Sequence, residues 1–246
     1  MLPKNEAAHL LFLPSRAKMS VEVIVVRIVF FVLCAAFLAF GQEPRGLGGG
    51  GFMTGLLFPD LSELNVYLTQ NGFARLSSPL VLWGGGGMGG LLGGTRMGGA
   101  GFGGETQSLW DGKKALFSLG GGGFLAERAL FSQETFALAF GLMIGGGDAE
   151  LFLVFREPSS FEDALANPVC TRLRREFFLF APYLSAEFFL LDWAFLKVNL
   201  GLMFTFGGSW EANGVSVDGP PAAFHSPVLQ FSLHLGGFVP LEEEEG

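Results

Sequence analysis

Cysteine is almost absent from this chain, with two in 246 residues, and that excludes a disulfide framework. Histidine is scarce at three, and no His and Cys stand at metal-ligand spacing, so no metal site is expected. Charge is sparse: 15% of residues are charged, against about 25% in an average soluble domain. Tyrosine is reduced to two, while phenylalanine reaches 28. Basic excess is missing too. The net charge of -8 argues against nucleic acid as a partner, because binding it requires phosphate neutralisation. The 38 glycines show no Gly-X-Y period, so the chain is not collagen-like. With half of its residues hydrophobic, it is too apolar for a charge-rich disordered segment.

The N-terminal part has the order of an export signal. Lys4, Arg16, Lys18 and Arg27 precede an uncharged run from Ile28 to Phe40, and Ala39-Phe40-Gly41 supplies small residues at a cleavage site. Residues 1–41 are therefore expected to be a signal peptide, with Met19 a second candidate start. The run is short for a spanning helix, which needs about 20 residues, although extension back through Val21 leaves a retained anchor open. Cleavage after Gly41 removes four basic and two acidic residues, so 11 Lys+Arg and 21 Asp+Glu remain, for a charge of -10. Cys170 is then alone and is expected to be buried or unreactive.

Residues 42–59 read as a Gly-rich lead-in. A helix is expected over 60–72: Asp60 can cap, Glu63 stands three residues on, and Leu61, Leu64 and Leu68 share a face. Asn71-Gly72 ends it. From residue 79 to 239 the period is two. Leu196, Val198, Leu200, Leu202, Phe204 and Phe206 oppose Lys197, Asn199, Gly201 and Thr205, with Met203 the exception. Leu229, Phe231, Leu233 and Leu235 oppose Gln230, Ser232 and His234. Eight strands are expected, at 80–91, 95–104, 114–126, 135–145, 148–156, 177–190, 194–206 and 227–239. Asp111-Gly112, Gly145-Gly146-Gly147-Asp148 and Asp192-Trp193 read as tight turns. Ser159 to Asp163 can start a short helix. Residues 240–246 form an acidic tail.

Glycine tetrads begin at Gly48, Gly84 and Gly120, 36 residues apart each time. Their expected setting is beneath the 60–72 helix or in a tightly curved wall. Gly99-Ala100-Gly101-Phe102-Gly103-Gly104 matches a dinucleotide fingerprint in letters only, since no helix follows it. No catalytic, cofactor-binding or metal-ligating constellation emerges, so no cofactor is expected and the chain reads as a non-enzyme. What remains is a polar set facing away from the apolar stripes: Glu187, Lys197, Asn199, Gln230 and His234. In a closed barrel these would form an interior network, either structural or lining a pore or ligand site.

The segment PYLSAEFFLLDWAFLKVNLGLMFTF, Pro182 to Phe206, resembles a hairpin of a bacterial outer-membrane β-barrel, as does the 227–239 strand. The resemblance implies an antiparallel meander with an even strand count, outer-membrane localisation and membrane lipid as partner. The ligand and the oligomeric state stay unspecified. The overall expectation is an all-β fold with one or two short helices, with a closed barrel favoured over a β-sandwich. The function expected is that of an exported cell-envelope protein with a structural, small-solute or lipid-contact role. The alternative is a secreted or periplasmic sandwich that binds an unknown ligand. An anchored envelope enzyme is the least supported reading.

Overall fold

A computed structural model describes residues 45–166, 170–220 and 224–239. The expected signal peptide and acidic tail lie outside the described residues. Eight long strands form a ring. They are β1 (Gly46–Leu57), β2 (Leu80–Leu91), β3 (Thr95–Trp110), β4 (Lys113–Ser132), β5 (Phe136–Val154), β6 (Cys170–Leu191), β7 (Ala194–Phe206) and, after a short β8 (Trp210–Ala212) and β9 (Val215–Val217), β10 (Ser226–Val239). Every pairing is antiparallel. β5 pairs with β6 from Val154↔Cys170 to Phe136↔Phe188, and β1 pairs with β10, so no long strand is left as an edge. This closure excludes the β-sandwich. Among the described residues no helix is long and apolar enough to cross a membrane.

Three strand expectations need correction. β1 lies inside the expected lead-in, because its glycines hide the alternation: Leu47, Met53 and Leu57 face inward between them. The 145–148 segment is no turn, and the two strands expected around it are the single β5. The count of eight in the ring survives because one strand was missed and another was split. β6 also begins at Cys170 rather than 177, so Arg172 and Arg174 stand on a strand, and Cys170 is exposed.

Glycine reads as a breaker in sequence, but a small barrel wall needs it. The tetrads meet side by side, with Gly50 opposite Gly87 and Gly51 opposite Gly86. Beyond β3, Gly122 lies opposite Gly101 on β3 and Gly146 on β5. On the concave side the neighbouring backbone is too close for a side chain. A Cβ on Gly51 would lie 1.8 Å from the Leu233 carbonyl oxygen, and one on Gly98 would lie 1.9 Å from that of Gly87. The tightly curved wall is thus the setting found, and it follows from closing only eight strands.

The two ends differ. Leu92-Gly93-Gly94, residues 133–135 and Asp192-Trp193 are the short links at one end, where β1 starts and β10 finishes. At the other end, β1–β2 is joined through helix α1 (Ser62–Gln70), β5–β6 through α2 (Phe161–Ala166), and β7–β10 through the β8–β9 hairpin. β3–β4 turns there on Asp111 and Gly112, both at positive φ (49° and 72°), the backbone of a two-residue hairpin.

Helix α1 is held by its apolar stripe more than by its cap. Leu61, Leu64 and Leu68 are buried and pack with Leu57, Leu80 and Leu82 beneath them. The expected capping box does not form. Leu61 occupies the N-cap position, and the Asp60 carboxylate instead accepts the Ser62 N–H at 2.9 Å. Asn71 and Gly72 end the helix as expected, with Gly72 at φ 76°. In α2, Ser160 Oγ accepts the Asp163 N–H at 3.1 Å.

Candidate functional site

The wall is inverted relative to a soluble protein. On β10, Phe231, Leu233 and Leu235 are 41%, 47% and 57% exposed, while the alternate residues Ser232 and His234 are 5% and 6% exposed. On β7, Leu200 is exposed and Lys197 is buried. Exposed apolar residues on β6 run from Phe178 to Leu190, about twelve residues. At ~3.3 Å per residue and a tilt of ~40°, that band is roughly 30 Å tall, close to the ~25 Å expected of a membrane barrel. Arg172, Arg174 and Glu176 bound it above, where Arg174 Nε lies 3.5 Å from Asp148 Oδ2 on β5. This is the wall of a transmembrane β-barrel.

Inside, four strands converge on one charged layer. β3 supplies Arg96, β4 Glu127, β6 Tyr183 and Glu187, and β7 Lys197; all but Tyr183 are no more than 2% exposed. Register brings them together in pairs, Arg96 opposite Glu127 and Glu187 opposite Lys197. The four charged side chains then cross-link. Arg96 Nη2 is 3.2 Å from Glu127 Oε2, and Arg96 Nη1 donates to Glu187 Oε2. Lys197 Nζ lies 3.3 Å from Glu187 Oε1 and also donates to Glu127. Two cations and two anions cancel formally. Each charge is thereby paired twice, as burial away from water demands.

Tyr183 completes the layer. Its hydroxyl donates to Glu127 Oε1 at 2.7 Å. Room for its ring comes from Gly141 opposite it on β5, where a Cβ would lie 2.3 Å from Tyr183 Cζ. The other sequence-selected residues lie around this layer. His234 stacks on Phe195 with ring centroids 4.8 Å apart, and its Nε2 is 3.0 Å from Ser232 Oγ. Asn199 is buried opposite Ser185 and Gln230. Gln230 is half-buried and makes no hydrogen bond to the charged four. Lys197, Asn199, Gln230 and His234 line an interior cavity of about 50 Å³, and Glu187 does not reach it. Asn199 Oδ1 has no partner among the described residues and faces a space with room for a few waters at ~10–15 Å³ each.

Arg96, Glu127 and Tyr183 were not among the residues selected in sequence. Glu127 did carry a signal, since it stands on the same parity as Phe117, Leu119 and Leu125, a charge on an apolar stripe. Arg96 carried none, lost among glycines.

The cavity is capped on both sides. Toward the short-turn end, Leu47, Leu92 and Phe195 cluster with Phe189. Toward the loop end, Leu82, Phe117, Leu119, Phe177 and Leu179 fill the barrel beneath α1.

No protein-family model matches this chain, and no curated protein matches it. Among solved structures the chain is similar to Ail, the attachment invasion locus protein of Yersinia pestis, in complex with the heparin analogue sucrose octasulfate. That similarity has 10% identity, covers 80% of this chain and 100% of the other, and has a TM-score of 0.42. A second Ail structure gives 11% identity, the same coverage of 80% and 100%, and a TM-score of 0.29. The outer membrane protease OmpT from Escherichia coli gives 9% identity, coverage of 82% and 97%, and a TM-score of 0.24. The barrel assignment rests on the strand pairing and the inverted wall described above.

Proposed function

We propose that this protein is an outer-membrane barrel of the cell envelope whose interior is a filled scaffold, with a structural and lipid-contact role and no reaction of its own. The carrying observation is the inversion within single strands: apolar side chains outside, a neutralised charged layer inside. Lipid is the solvent that suits such a wall, and a closed barrel satisfies every backbone group within it. Short turns at the end where β1 starts and β10 finishes, and longer links at three of the four connections of the other end, match the periplasmic and external ends of such barrels.

Glu187, Lys197, Asn199, Gln230 and His234 then act, with Arg96, Glu127 and Tyr183, as structural filling that fixes the strands against each other. Passive solute passage is the weaker reading, because apolar plugs stand above and below the charged layer. Envelope fractionation with boiled and unboiled gel migration tests the assignment. Recovery in the outer membrane with a heat-shifted band is expected; recovery as a soluble protein without a shift would overturn it. Planar-bilayer recordings are expected to show no steady conductance, and a stable open channel would restore the pore reading.

A further inference from the structure

A second cavity lies at the loop end, outside the barrel core. It has a volume of about 260 Å³ and opens between α1, the tips of β5 and β6, and the β8–β9 hairpin. Its walls are hydrocarbon: Leu68 from the helix, Leu153 and Phe155 from the β5 end, Trp210 and Val217 from the hairpin. An apolar cavity of ~150 Å³ already holds benzene, so this one has room for a ring with a short side chain.

The polar groups at this cavity narrow the ligand further. Asn71 donates its side-chain amide to the Tyr67 carbonyl at 2.8 Å, and Trp210 Nε1 donates to the Pro220 carbonyl at 3.3 Å, so both are engaged. Asp218 also lines the cavity, is exposed, and has no hydrogen bond or ion pair among the described residues. The cation beside this wall is held by its own contacts: Lys113 Nζ donates to the Asn71 carbonyl at 3.0 Å and sits over the Phe73 ring. Lys113 is not part of the lining, whose single formal charge is the Asp218 carboxylate.

We propose that the loop-end cavity is a binding site for a small apolar amine, with an aryl or short alkyl body seated against Trp210 and Leu153 and its ammonium paired with Asp218. An apolar chamber with one placed charge is the usual form of a small-molecule site. The site is built by loop-end elements, so it can succeed or fail independently of the filled-scaffold reading.

The test uses the full barrel in lipid nanodiscs, titrated calorimetrically with three isosteres after subtraction of empty nanodiscs. These are 2-phenylethylamine, 2-phenylethanol and 3-phenylpropanoate. One saturable site is expected, with the amine binding on the order of tenfold tighter than the acid. Asp218→Asn is expected to bring the amine to the level of the neutral alcohol and leave the alcohol unchanged. Val217→Trp, which intrudes on the cavity, is expected to weaken binding of all three. Unboiled gel migration verifies that each variant is folded, and should Val217→Trp misfold, the Asp218→Asn comparison stands alone. No saturable binding, a preference for the acid, equal affinity for all three, or amine binding unchanged in Asp218→Asn overturns the proposal.

Discussion

At the level of Glu127 and Lys197 the barrel is filled by charge; farther toward the loops, at Phe117 and Leu179, it is filled by hydrocarbon. Both layers are buried, and both are held by the same strands. They differ in how their parts depend on one another. The hydrocarbon layer is a sum of contacts, in which each side chain contributes according to the area it removes from water. The charged layer is a circuit. Arg96, Glu127, Glu187 and Lys197 each rely on two opposite charges, and none of them is stable in that place without the others. The charged layer is satisfied only when the strands stand in this register, whereas the leucines and phenylalanines ask only for burial.

The sharpest way to break this comparison is Glu127→Ala. It leaves Arg96 and Lys197 facing a single carboxylate and frees the Tyr183 hydroxyl. A loss of roughly 3–5 kcal/mol is expected in reversible denaturant unfolding from lipid vesicles. A second substitution that restores neutrality, Glu127→Ala with Lys197→Met, is expected to cost less than the two single losses added, by about 1–3 kcal/mol. Strict additivity would mean that the charged layer is no circuit.

In the hydrocarbon layer, Leu68→Ala on α1 removes a buried side chain from the loop-end seal. About 2–4 kcal/mol is expected. It should add independently to Glu127→Ala, because the two residues share no partner. Gly141→Ala tests the steric support of the charged layer, since its Cβ would meet the Tyr183 ring. A loss of about 1–3 kcal/mol is expected from overpacking. Conversion of Tyr183 to Phe in the same chain should not relieve it.

The smallest effect lies outside the wall. The Ser62 hydrogen bonds hold the Asp60 carboxyl below its ordinary value of 3.8. A lowered folded value means that the contribution of this contact is present above the unfolded value and lost as pH falls through the folded one. The Ser62 amide resonance is expected to titrate with a midpoint below 3.8, and to stop doing so in Asp60→Ala.

Legibility from sequence tracked the alternation of residue types. The β6–β7 hairpin and β10 were readable because large apolar and polar residues alternate there without interruption, and parity alone assigns Lys197, Asn199 and His234 to one side. Helix α1 was readable from three leucines on one face. β1 was not, because glycine has no side chain to report parity, and the Gly145-Gly146-Gly147-Asp148 run mimicked a turn for the same reason.

What sequence by itself determined is the local period, the turns at Asp111-Gly112 and Asp192-Trp193, and which residues of a strand share a side. These depend on backbone sterics and on neighbours two residues away. Which side is inside is seen only in the closed tertiary structure, where Lys197 and His234 are buried and Leu200 and Leu233 are exposed, because the same stripes would pack inward in a sandwich. Tertiary structure also brought Arg96 to Glu187, 91 residues away, and Lys197 to Glu127, 70 residues away. A charge placed inside a barrel is tolerable only when its partner arrives from across the lumen, and that meeting is set by the register of eight strands taken together.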